Sequence, residues 1–127
     1  MSLAATIVFP DISLCRSAMY EECEYTESRS VIFRAAQQSA EQVEFVFDRV
    51  NALRCDATEL LDPEGLMIDG GHFDTLVEIN HSPWIESMKR VFPNTEEYWK
   101  PVRHYVIYNH DYIWQIVAAA VRMRLLE

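Results

Sequence analysis

Four histidines, His72, His81, His104 and His110, carry most of the side-chain chemistry this chain has to offer. His72 and Asp74 form an H-x-D triplet inside GGHFDTLVEIN, a segment whose alternation reads as a strand. Side chains two apart on a strand share a face, so this imidazole and carboxylate point the same way. Adding His110 gives two histidines and one carboxylate, the donor set that holds Fe(II) with open positions for oxygen chemistry. His104 is the candidate proton carrier, because an unperturbed imidazole titrates near 6.5, although nothing in the sequence supplies it with a partner. Each histidine also has an ordinary role to fill. His72 follows Gly70-Gly71 and suits a surface turn. His81 is expected on the apolar side of its strand, beneath the helix that follows. His104 opens a strand, and His110 occupies an Asn-His-Asp turn.

The order His72-x-Asp74, then His110, then Arg122 resembles that of the 2-oxoglutarate oxygenases. The resemblance implies bound iron and an Arg122 that pairs with an acidic co-substrate. Against it stand a short chain and a helix expected near residues 84–92, which interrupts the strands such a double-stranded β-helix needs between its ligands. The preferred reading therefore has no catalytic residue, no metal and no cofactor. Other catalytic patterns do not occur in the sequence: there is no G-x-S-x-G elbow, P-loop, G-x-G-x-x-G or H-E-x-x-H. Cys15, Cys23 and Cys55 sit in no nucleophile signature. Glu21 and Glu22 are adjacent, so on a strand they face opposite ways and make a poor acid-base pair.

Charge narrows the partners. Twenty acidic residues against eleven basic ones give a formal net charge of −9. Nucleic-acid affinity rests on clustered cations at phosphates, and here the only lysines are Lys89 and Lys100. Nucleic acid is therefore excluded. The acid concentrates at Glu21, Glu22, Glu24 and Glu27 beside Tyr20 and Tyr25. That cluster is either a solvated face that keeps the protein soluble or a surface that meets a basic partner. Three cysteines make an odd set without C-x-x-C spacing, and Met1 to Pro10 has no export signal. The longest uncharged apolar run, Ile116 to Val121, falls far short of the roughly 20 residues that span a bilayer. The expectation is a cytoplasmic protein away from membranes.

The elements follow from periodicity and punctuation. Ala5 to Pro10 reads as a strand ended by proline. Ala18 to Thr26 and Ser30 to Ala35 suit a hairpin turning at Glu27 to Arg29. The segment Ala36 to Leu53 fits both periods, but VEFVF favours a strand over Gln42 to Cys55, with a turn at Gln37 to Glu41. Asp62 to Gly65 and Asp69 to Gly71 are turns, and His72 to Asn80 is a strand. Ser82 is placed to cap a helix with Pro83 in its first turn. Trp84, Ile85, Met88, Val91 and Phe92 form that helix's apolar stripe. Thr95 to Trp99 suits one more helical turn. Strands then cover Tyr105 to Tyr108 and Tyr112 to Leu125, and the alanines from Ala118 to Ala120 would let a helix approach the sheet. The aromatic residues from Trp84 onward divide between core and a pocket or interface.

The sum is a single α+β domain over residues 1–127: a mostly antiparallel sheet of five or six strands with one or two short helices packed on it. The expected function is a non-enzymatic acidic interaction protein. Its partner would be a basic protein, as for an inhibitor or immunity protein, or a second copy in a homodimer. The alternative is a small metal-dependent enzyme or ligand-binding domain built on His72, Asp74 and His110. Elemental analysis separates the two, and the purified protein is expected to carry no stoichiometric iron or zinc. One metal per chain, lost on both His72→Ala and Asp74→Ala, would overturn the non-enzymatic reading.

Overall fold

The computed structural model describes residues 4–14, 21–39, 41–57, 75–109 and 112–126. Tyr20, His72, Asp74, His110 and the turns at Asp62 to Gly65 and Asp69 to Gly71 lie outside them. The described strands are β1 (Ala5–Ile7), β2 (Glu21–Tyr25), β3 (Val31–Ala36), β4 (Gln42–Ala57), β5 (Leu76–Ile79), β6 (Arg103–Asn109) and β7 (Tyr112–Leu126). Two helices, α1 (Pro83–Val91) and α2 (Glu96–Trp99), separate β5 from β6. All seven strands join one antiparallel sheet in the order β1-β5-β6-β7-β4-β3-β2. The β-rich α+β expectation holds, with seven strands in place of five or six. The short β1 pairs Ala5 with Ile79 across the far edge and completes the set.

The ambiguous segment is strand. Val43, Phe45 and Phe47 are fully buried on one side of β4, the outcome of a period of two. A helix would have put Phe45 on its polar side. The alternation then changes phase: β4 carries an irregularity between Val50 and Ala52, where its register on β7 shifts, and Arg49 just before it has a left-handed backbone with φ 54°. Beyond the left-handed Arg49, Val50 joins Phe47 in the same core, and past the register shift Ala52 turns to the opposite side.

The main core gathers Val31, Phe33, Phe45, Phe47, Leu76, Tyr105, Ile107 and Ile116. Residues 8–14 lie across it. Phe9 stacks on Phe45 with ring centroids 5.7 Å apart, Leu14 is fully buried, and Thr75 Oγ1 donates to the Ile12 carbonyl at 3.2 Å. On the other side of the sheet Ile85, Trp99 and Val102 pack on Val117, with Ala52, Trp84 and Met88 around them. Ala118 belongs to the main core, so the small residue that admits the helices is Ala52. The expected stripe on α1 is half right. Ile85 is buried, but Val91 and Phe92 are 68% and 57% exposed. The helix ends there, at a left-handed Asn94 with φ 66°, before its last turn can reach the sheet.

Polar residues on the β2-β3-β4-β7 part of the sheet form a ladder of charge. Glu44, only 3% exposed, accepts from Arg34 at 2.9 Å and Arg124 at 2.7 Å. Arg34 reaches on to Glu24 at 3.4 Å. One carboxylate thus ties three strands, and both of its oxygens are satisfied, as burial of a charge requires. Phe45→Ala should cost about 3–5 kcal/mol, because the ring is enclosed by Phe9 and Phe33. Val91→Ala should stay within about 0.5 kcal/mol. Chemical denaturation of both variants checks the pair. Similar losses would show that the burial assigned to these two faces is wrong.

Candidate functional site

The described residues bring one histidine into a built polar site, and it is His104. β6 pairs His104 with Ile79 on one side and Val117 on the other, so its ring points to the face covered by α1. Ser82, just ahead of α1, caps the helix by accepting from the Ile85 N–H at 3.2 Å. The same Ser82 oxygen lies 2.8 Å from His104 Nδ1. His104 Nε2 lies 3.0 Å from Gln115 Oε1 on β7. An amide oxygen can only accept, so Nε2 carries the ring proton and Nδ1 accepts from the Ser82 hydroxyl. The bonds then run in one direction: Ile85 N–H to Ser82, Ser82 O–H to His104, His104 N–H to Gln115. The Trp84 ring closes the site edge-on, its centroid 5.3 Å from that of His104.

Ser82, His104 and Gln115 are all buried, and each has its partners. Burial holds the His104 pKa down to about 4, while the hydrogen bond to Gln115 acts weakly the other way. His104 is therefore a neutral imidazole at pH 7. A group so far below neutrality is a poor base for the Ser82 hydroxyl, and Ser82 is already committed to its cap. The set resembles a nucleophile with its base only in composition; what it does is pin the start of α1 to the middle of the sheet.

A cleft of about 590 Å³ opens beside this cluster, between α1 and the α2-β6 junction. Ser82 and His104 contribute to its wall with Ile79, Ile85, Trp99 and Val102. α2 is held at the far side from within and from without. Trp99 Nε1 donates to Thr95 Oγ1 at 3.0 Å. The Tyr98 hydroxyl donates to Asn51 at the β4 irregularity, and the Arg49 guanidinium lies 5.9 Å from the Tyr98 ring centroid.

Other residues singled out in the sequence meet different fates. His81 does not pack beneath the helix: it is exposed, with φ 54°, at the corner between β5 and α1. The sharp reversal into the helix takes a left-handed residue there and turns the ring outward. Arg122 pairs with Asp48 at 3.3 Å, so its guanidinium is engaged on the sheet surface. Glu24 is exposed and bound to Arg34, Glu27 is exposed, and Tyr25 is 57% exposed. Glu21 and Glu22 lie on β2 opposite Ala35 and Arg34. Cys55 is exposed near the end of β4 and Cys23 is half-buried against the main core. Among the described residues no group of three or more His, Cys, Asp or Glu side chains could hold a metal ion. No described helix is long and apolar enough to cross a membrane. The sequence matches no protein-family model, and no curated protein or solved structure matches it.

The role of His104 was missed because it depends on register. A usable signal was nonetheless present: His104 and Gln115 are lone polar residues in the apolar strands HYVIY and YIWQIV, and polar groups in such strands must find each other.

The depressed pKa has a signed consequence. Above pH 6.5 His104 is neutral in both folded and unfolded chains and costs nothing. As pH falls from 6.5 toward 4 the unfolded chain takes up a proton that the folded chain refuses, so stability drops by about 3 kcal/mol over that window. His104→Gln should remove this component of the pH dependence and itself destabilise at pH 7. Urea unfolding of both proteins at pH 7 and pH 5 checks this; parallel losses in the two would show that His104 titrates normally in the fold.

Proposed function

We propose that this protein is a non-enzymatic, acidic interaction module that binds a basic protein, in the manner of an inhibitor or immunity partner, in the cytoplasm. The observation that carries the reading is the placement of the acidic hairpin. β2 is the last strand of the sheet, paired with β3 on one side, and its turn exposes Glu27 and Tyr25. Arg29 in the turn and Arg34, which reaches Glu24, offset part of this acid, and the sheet's other arginines are engaged elsewhere. Arg34 and Arg124 are spent on Glu44, Arg54 on Asp56, and Arg122 on Asp48. With internal pairs formed, the surplus of −9 is left to face solvent and partners.

The same charges argue against self-association along β2. Two copies paired edge to edge would set Glu21, Glu22 and Glu24 against one another, and like charges across a strand pair destabilise it. Odd cysteine content without C-x-x-C spacing supports the cytoplasmic assignment.

A partner recovered from the source cells should associate more slowly as salt rises. Taking ionic strength from about 0.15 M to about 1 M shortens the Debye length from about 8 Å to about 3 Å, and the association rate should fall about tenfold. Replacing Glu21, Glu22 and Glu27 by Gln should lower the rate at low salt. Association that ignores both salt and these substitutions, or recovery of the protein itself as its sole partner, would sink the proposal.

A further inference from the structure

The cleft beside Ser82 and His104 has a composition unlike the rest of the molecule. The chain has two lysines, and both line it. Arg103 joins them, so Lys89, Lys100 and Arg103 stand around a floor made by Ile85, Trp99 and Val102. In a chain with a net charge of −9 this is a cationic island. Two carboxylates, Glu78 and Glu86, also line it. Glu97 stands at its edge on Lys100, so each of the three cations has one carboxylate partner.

The cations are held loosely. Arg103 meets Glu78 at 3.6 Å and Lys89 meets Glu86 at 3.4 Å, and these side chains are from 30% to 57% exposed. Arg103 Nη1 also donates to the Lys100 carbonyl at 2.8 Å and the Val102 carbonyl at 3.2 Å, which sets the guanidinium at the rim and leaves its carboxylate pairing weak. Lys100 meets Glu97 at 2.7 Å, where both groups are largely in water. Such pairs contribute little and exchange partners readily. A ligand anion can therefore take a cation without forcing a buried charge apart. The floor, in contrast, is fixed. Ile85 and Trp99 are buried, Trp99 is anchored through Thr95, and Ser82 and His104 hold the start of α1 in place. A volume of about 590 Å³ lies within the usual range of small-ligand pockets.

We propose that this cleft binds a small aromatic monocarboxylate. The flat apolar body would lie on Ile85, Trp99 and Val102, and the carboxylate would meet Arg103 and Lys100. A carboxylate replaces Glu78 at Arg103 or Glu97 at Lys100 in kind, whereas a phosphate dianion brings extra charge into cations already paired and meets the repulsion of the acidic molecule as a whole. Neutral His104, with both ring nitrogens occupied, adds no competing charge to the wall.

The test uses the whole folded protein with benzoate, indole-3-acetate and 2-naphthoate as probes, followed by amide NMR and Trp fluorescence. At least one probe should bind saturably with Kd of about 1 mM or tighter, shifting the amide signals of Ile85, Trp99 and Val102. The matching neutral carboxamide should bind about tenfold more weakly to the unaltered protein, and Arg103→Gln with Lys100→Gln should weaken the carboxylate by a similar factor without weakening the carboxamide. The proposal fails if no probe gives saturable shifts at those three residues at millimolar concentration. It also fails if acid and amide bind equally, or if the shifts map to β2 and its turn. Protein-partner binding through the acidic hairpin is read by separate kinetics, so each idea stands or falls alone.

Discussion

The hydrogen-bond chain from the Ile85 N–H through Ser82 and His104 to Gln115 is the constraint on which the helical layer depends. α1 has nine residues and α2 four, too short to be stable alone. Their burial against Val117 and Ala52 supplies attraction but not a position, since apolar contact is non-directional. Directed bonds supply the position. Ser82 starts α1 and, through His104, ties that start to β6 and β7 at once. Burial keeps the imidazole neutral, and neutrality lets one nitrogen accept while the other donates. A protonated ring would present two donors and break the link to the Ser82 hydroxyl as it is oriented here. The cleft is a by-product of this anchoring, because the α1 start is held on one side and α2 on the other.

The sheet handles charge in a second way. Glu44 is buried and paired with Arg34 and Arg124, which bind β3, β4 and β7 together on the polar face. Breaking one member of such a set costs more than the set itself contributes, because the remaining charge is left without a partner. The arginines on this face are thereby paired. The two cation-bearing regions differ in consequence. On the polar face Arg34 and Arg124 meet the buried Glu44, whereas around the cleft Lys89, Lys100 and Arg103 meet carboxylates that are themselves partly or largely exposed.

Much of this architecture was legible in the residues. Ser82-Pro83 signalled a helix start by cap chemistry, and the cap forms as expected. Val43, Phe45 and Phe47 signalled a strand by period, and all three are buried together. The hairpin at Glu27 to Arg29 followed from local turn chemistry, and Arg29 takes a left-handed φ of 64° there. What local pattern cannot show is long-range placement. β1 was legible as a strand within Ala5 to Pro10, but its pairing with β5 was not. Val91 and Phe92 fit the helical stripe by spacing, but the helix leaves the sheet before reaching them. His81 looked apolar-facing by parity, and a left-handed turn reversed it. His104 and Gln115 meet across a register known only once β6 and β7 are paired. The triad His72, Asp74 and His110, read from spacing, lies outside the described residues.

His104 is a neutral structural link with its proton on Nε2. Histidine ring NMR across a pH titration reads that state at the ring itself. One ring should stay neutral down to about pH 4, with the Nε2–H tautomer throughout. A His104 that titrates near 6.5, or that carries its proton on Nδ1, would contradict the chain of bonds from Ser82 to Gln115.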